Sequence, residues 1–333
     1  MTHTSTTTPR VGPHGLHADG RVWRETNCYT DVWIEILHAL GEEPLAMLGP
    51  CLRITLEADQ WTFFKPSFDD LFLLYGLEVV EANPWRGLLA TCEAAVASGR
   101  VAIPEVDSWF LPDTAGVSYR VAHVKSSIAV LALDSSRRHL SYAHNAGRYD
   151  LDGDDFDGLF GRGDHAVDDT HLPPYVDVCT PSPVGHRRTA TLADTALALL
   201  RRDAIRIPRA NPFLRWAERF ANELDAVRTG GDEAFHAYAF TTFRQFGPAF
   251  ELAASHLIWI SEHATLSLDD RATLLRASAH FTEIASTALI FQMRTARAVL
   301  SGKPLDPTAW STTLADEWQA GTQIVRTFAL AHS

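Results

Sequence analysis

The sequence predicts an α+β fold: an N-terminal helix packed on an antiparallel sheet, followed by an all-helical second half. Three observations predict it. After Cys28, apolar residues recur at helical spacing (Val32, Trp33, Ile36, Leu37, Leu40). Strand-like runs concentrate before residue 180, the strongest from Val124 to Leu133 with a return from His139 to Asn145. From Thr189 onward only long 3.6-period patterns remain. With 333 residues, 46% of them apolar, the chain has length for two domains. The expected division is a flexible arm over 1–19, an α+β domain over 20–180 and a helical bundle over 186–333. The Pro-rich run Thr180-Pro181-Ser182-Pro183-Val184-Gly185 reads as the linker.

Each element has a local reason. Residues 1–18 are polar and Thr-rich, so His14 and His17 are expected on a mobile tail. The first helix covers Thr30 to Leu40, with Thr26 or Asn27 as cap, Gly41 as stop and Pro44 beyond. Leu52 to Glu57 alternates as a half-buried strand does, and Asp59 to Lys65 is a polar-aromatic segment. Phe68 to Tyr75 is a short helix capped by Ser67, with Asp69 and Asp70 in its first turn. A strand (Leu77–Glu81), a helix (Pro84–Ser98, stopped by Gly99) and a strand (Val101–Val106) lead to the loop Asp107–Thr114. The two strong runs then form a hairpin turning at Asp134–Arg138. Residues 147–185 read as loop with a short helix from Asp154. The helical half follows as Thr191–Arg202, Pro212–Val227 (cap Asn211), Asp232–His263 with a break near Gly247-Pro248, Leu268–Ser301 (cap Ser267) and Thr308–Ala331.

Composition removes several function classes. A formal charge of −12 and a pI near 5.6 argue against a nucleic-acid footprint. No run approaches the ~18 apolar residues of a membrane span. The first 20 residues lack the apolar core of a signal peptide, so a cytoplasmic, reducing location is expected. Asp150-x-Asp152-x-Asp154 lacks the Gly and Glu of a calcium loop, and His165, Asp168, Asp169 and His171 fit no metal spacing. No metal and no tightly bound cofactor are expected.

The chemistry centres on Cys28. In the first turn of a helix, free N–H groups and the helix dipole favour a thiolate. The competing reading is a buried structural cysteine. His123 heads one hairpin strand and Asn145 ends the other, and antiparallel strands of about ten residues bring both to one end of the sheet. A helix-borne thiol served by a histidine and an amide from a sheet is the layout of papain-like cysteine enzymes. Cys28 is then nucleophile, His123 base and Asn145 the orienting amide, with His144 as the alternative base. Asp134 lies at the far end of the hairpin, and His139 is in its turn. Asn27 and Gln60 are candidate oxyanion donors. Trp61, Phe64, Trp109, Asp113 and His144 are candidate substrate contacts, from segments rich in aromatic and acidic groups.

The runs NCYTDVWIEILHALGEEP, DQWTFFKPSFDDLFLLYGLEV, LPDTAGVSYRVAHVKSSIAV and YAHNAG together resemble a bacterial family, the domain of unknown function 1839. The resemblance covers roughly residues 20 to 330. It implies kinship with butirosin-H-like proteins, which have a papain-like front half and a helical back half. It also implies chemistry on an aminoacyl thioester held on the phosphopantetheine arm of a carrier protein. The expected activity is transfer of that group to a small-molecule amine. The alternatives are a thioesterase, amidase or peptidase using the same residues, or a carrier-binding module without catalysis. One departure is Val22, six residues before Cys28, where papain-like peptidases carry the oxyanion glutamine. The oxyanion donors are therefore open.

Overall fold

A computed structural model describes residues 12–165, 175–181 and 191–331. The order is α1 (Cys28–Ala39), β1 (Leu56–Glu57), β2 (Gln60–Trp61), α2 (Phe68–Tyr75), β3 (Leu77–Ala82), α3 (Leu88–Ala97), β4 (Val101–Asp107) and β5 (Lys125–Ser127). Then come β6 (Ala129–Asp134), β7 (His139–His144), β8 (Gly147–Asp152), α4 (Gly153–Leu159) and β9 (Val176–Pro181). The helices α5 (Leu192–Ala204), α6 (Pro212–Thr241), α7 (Phe243–His263), α8 (Leu268–Ser301) and α9 (Thr308–Ala331) complete the chain. The fold is α+β. A seven-stranded sheet runs β3-β9-β4-β6-β7-β8, every pairing antiparallel, with β5 continuing the line of β6 along β4.

Several sequence expectations change. The Leu52–Glu57 strand is largely a 3-10 turn (Gly49–Arg53), and only Leu56–Glu57 pairs, with β2. Pro50 at the head of that turn supplies no N–H for a ladder. Residues 147–152 form strand β8 rather than loop. Arg148, Asp150 and Asp152 are the polar half of an alternation whose other half is Tyr149 and Leu151. Tyr142 sits opposite Tyr149 in register. The helix break expected at Gly247-Pro248 falls at Thr242, whose φ of −125° and ψ of −88° are not helical. Pro248 lies inside α7, and position 247 is a glycine within the helix because the Trp23 indole packs where a Cβ would stand. The helix from Pro212 extends past Val227 to Thr241, kinked at Gly231 (φ 68°). Asp168, Asp169, His171 and linker residues 182–185 lie outside the described residues.

Alternation assigns each strand residue to a face. Ile103, Ala129, Ala143 and Cys179 belong to one core, shared with α1 and the helices of the second half. Val106, Ile128, Val130, Tyr142, Leu151 and Val178 belong to a second core under α3 and α4. α1 lies across the first face, packed on β5 and β7. Its Tyr29 hydroxyl donates to Asp177 on β9 (2.7 Å), and its Glu35 approaches Arg148 on β8 (4.0 Å).

The two halves share one continuous core. Trp61 is wedged between Phe213 and Phe246, at ring separations of 5.0 and 4.8 Å. Arg202 on α5 grips Asp70 on α2 with two bonds of 2.6 and 2.8 Å. The buried His256 on α7 donates through Nδ1 to the Leu45 carbonyl (2.7 Å). Just before α1, the N–H groups of Val22 and Trp23 donate to Glu251, and the Trp23 indole donates to the Ala285 carbonyl. No helix among the described residues is long and apolar enough to cross a membrane.

Candidate functional site

Cys28 is the first residue of α1. Asn27 caps the helix: its side-chain oxygen accepts from Thr30 N (2.9 Å) and its amide donates to the Phe64 carbonyl (3.1 Å). The Asn27 carbonyl takes the Asp31 N–H. Among the described residues, the backbone N–H groups of Cys28 and Tyr29 have no partner at the positive end of the helix. Cys28 is half-buried, whereas Cys51, Cys92 and Cys179 are buried. Burial pushes the Cys92 and Cys179 thiols up to about 12 and that of Cys51 higher still. Cys28 alone among the four combines access with a helix N-terminus.

A buried ion cluster anchors α1, through residues that share the helical face of Cys28. His17 donates through Nδ1 to Glu35 (2.7 Å), and its Nε2 lies 3.3 Å from Asp31. The Thr26 N–H and hydroxyl also bond Asp31, and the His14 N–H bonds Glu35. Burial alone lowers the His17 pKa, but the two carboxylates overturn that and raise it to about 9. His14 and His17 were expected on a mobile tail. The reason they are fixed is that Asp31 and Glu35, one turn apart, are buried on α1: Glu35 takes the His14 N–H, and the two carboxylates need a cation, which His17 supplies.

His123 is exposed, stacked flat on Trp109 (centroids 4.5 Å apart), with Nδ1 donating to Asp107 Oδ2 at 2.5 Å. Its Nε2 has no partner among the described residues. Asp107 lies opposite Lys125 in register, on the same side of the sheet as Glu105, Asp177 and α1. Asn145 is in the two-residue β7–β8 turn at φ 45°, a left-handed position that asparagine tolerates, and makes no hydrogen bond to His123. Asp107, not Asn145, holds the imidazole. The Cys28 thiol makes no hydrogen bond to His123, His144 or Asn145. Lys65 stands over the Tyr29 ring at 4.5 Å, beside the thiol's own helix turn.

The remaining candidates are dispersed. Gln60 is exposed on the β1–β2 hairpin. Trp61 and Phe64 are buried, so both rings belong to the core. His144 and Asp113 meet each other: His144 Nδ1 lies 2.6 Å from Asp113 Oδ2, and His144 Nε2 lies 2.6 Å from Ser126 Oγ. His144 shares the face of Tyr142, opposite the face that α1 covers. Asp107 and Ser126 were not singled out by sequence. Their signal was the antiparallel pairing of Val101–Val106 with the His123 strand, which sets Asp107 beside Lys125 and Ser126 beside Val106. Among the described residues no cluster of three or more His, Cys, Asp or Glu is arranged to hold a metal.

Two family profiles account for most of the chain. The DUF1839 N-terminal domain matches residues 12–180, and the DUF1839 C-terminal domain matches residues 189–327. No curated protein matches the sequence. Covered by both profiles from residue 12 to residue 327, the chain belongs to the DUF1839 family.

Proposed function

We propose that the protein is a cysteine-dependent acyltransferase of papain-like design. Its substrate is an aminoacyl thioester on the phosphopantetheine arm of a carrier protein, and its acceptor is a small-molecule amine. The observation that carries this reading is Cys28: a half-accessible thiol on the first residue of a capped helix, beside two unpartnered N–H groups. The thiolate attacks the thioester carbonyl and the carrier thiol leaves, giving acyl-Cys28. The Cys28 and Tyr29 N–H groups receive the oxyanion, the role that a valine at position 22 leaves open. His123 is the base, its Nδ1–H held by Asp107 so that Nε2 is free to accept a proton. Approach of His123 to the thiol completes the site. Lys65 meets the phosphodiester of the arm. The amine then attacks acyl-Cys28 and His123 takes its proton.

The test is intact-mass spectrometry after mixing with aminoacyl-loaded carrier. An acyl adduct on the wild type, absent in Cys28→Ala, is expected. With a competent amine, Asp107→Ala slows turnover by about tenfold or more while adduct mass is unchanged. Release of free amino acid instead of amide makes the enzyme a hydrolase. No adduct at all, with carrier loading unchanged, overturns the covalent reading.

A further inference from the structure

We infer that the opposite face of the sheet carries a second nucleophile, Ser126, in a Ser126–His144–Asp113 relay that acts on acyl esters or thioesters. With His144 taken as the neutral imidazole, donor and acceptor accounting assigns the direction of every bond. Tyr142 keeps its proton, because burial pushes its pKa up, and donates to Asp113 Oδ1 at 2.5 Å. The other oxygen, Oδ2, accepts from His144 Nδ1–H at 2.6 Å. That places the imidazole lone pair on Nε2, so the contact of 2.6 Å to Ser126 is the serine hydroxyl donating to Nε2. This is the arrangement that lets a histidine take a serine proton as the oxygen attacks a carbonyl. His144 and the Asp113 side chain are 2 and 3% exposed, so water competes little for these bonds.

A second observation points to a ligand. Ser108 follows β4, its N–H bonded to the Val124 carbonyl, two positions along the strand pairing that sets Val106 opposite Ser126. Its hydroxyl is buried and has no hydrogen-bond partner. An orphan hydroxyl just past the end of the strand that pairs with Ser126, two register positions along, is a donor that a developing oxyanion could draw on. Residues 114–124 join Asp113 to the Ser126 strand. They carry the exposed Val117 and Val121 and are fastened to α4 by Arg120, which bonds Asp154 and Asp155, and by Tyr119, which bonds Asp155. Release of that fastening is the route by which an acyl group reaches Ser126.

The step balances without a co-reactant other than water. The Ser126 Oγ–H proton passes to His144 Nε2 as the C–O bond to the acyl carbon forms. His144 returns the proton to the departing thiolate or alkoxide, and water repeats the sequence in reverse roles to free the acid.

A fluorophosphonate probe tests this on the full-length protein. Wild type and Cys28→Ala are expected to carry one adduct, mapped by peptide mass to Ser126, and Ser126→Ala none. In the Cys28→Ala background, Ser126→Ala lowers p-nitrophenyl acetate hydrolysis by about 10³-fold. The Ser126→Cys variant, with an unaltered melting temperature, is expected to be alkylated at that position by iodoacetamide. If folded wild type takes no probe at Ser126 and the Ser126→Cys thiol reacts only after unfolding, the relay is structural and the inference fails. Because Cys28→Ala retains this site and Ser126→Ala retains the other, the two readings fail independently.

Discussion

His17 and His256 are each about 1% exposed, yet their pKa values move in opposite directions. His17 is offered two carboxylates, Asp31 and Glu35, and is raised to about 9. His256 is offered one neutral carbonyl, and burial lowers it to about 4. Burial is the same in both; the partners decide which form is kept. The consequences for stability have opposite signs. The His17 contribution is complete below the ordinary pKa of 6.5 and is lost as pH rises through about 9. The His256 contribution is complete above 6.5 and is lost as pH falls through about 4. Each is on the order of 3 kcal/mol. Only near pH 6.5 are both fully present, so these two residues alone set a stability maximum there.

The largest effect expected from this contrast is that of His17→Leu. It strands two buried carboxylates and costs about 3–5 kcal/mol in urea unfolding at pH 6.5. It also removes the decline between pH 6.5 and 9. A loss below about 1 kcal/mol would mean that the cluster does not hold α1. Next is His256→Leu. Its stability relative to wild type should improve on acidification from pH 6.5 to 4, by an amount on the order of 3 kcal/mol. Parallel pH curves for the two proteins would show that His256 is already solvated. The smallest effect is that of Gly49→Ala. A Cβ there would stand 3.2 Å from Asp203 Oδ2 and 3.6 Å from His256 Nε2, two buried atoms without a hydrogen-bond partner. Closing that gap should cost about 1 kcal/mol at neutral pH. It should also move the His256 acid limb to lower pH, because an imidazolium there loses its path to Asp203.

The helix that begins at Cys28 was legible because its causes are local: an apolar stripe, an Asn27 cap and a Gly41 stop all lie within one stretch. The sequence pattern also carried the hairpin, though not the bulge between Val130 and Ala132 or the split at Ile128. His17 was not legible as a core residue, since Leu16 beside it is a single apolar residue in a polar, Thr-rich stretch. Its partners sit on a helix a full segment later. The clue was Asp31 and Glu35 among Val32, Ile34 and Ile36, a pair of carboxylates on a face that should hold none. Asp107 and Ser126 were hidden for a related reason. Their roles come from strand register, which depends on a pairing partner rather than on the residues themselves.

The position of β9 between β3 and β4 has a consequence for biosynthesis. β3 has left the ribosome when its lateral partner is still roughly a hundred residues from being made, a delay of about 5–20 s at ordinary elongation rates. Through that interval Leu77 and Val79 have no neighbouring strand, and β4 lacks a partner on one flank. The strand that completes the sheet is therefore a late arrival, and its insertion is the event on which the first half waits. Because the first-face core also includes Trp216, Phe246 and Trp318, release of the finished chain, more than synthesis of its first half, is the moment at which Cys28 acquires its surroundings. A nascent chain halted after residue 181 would expose this apolar face to chaperones, while one halted after the last helix would not.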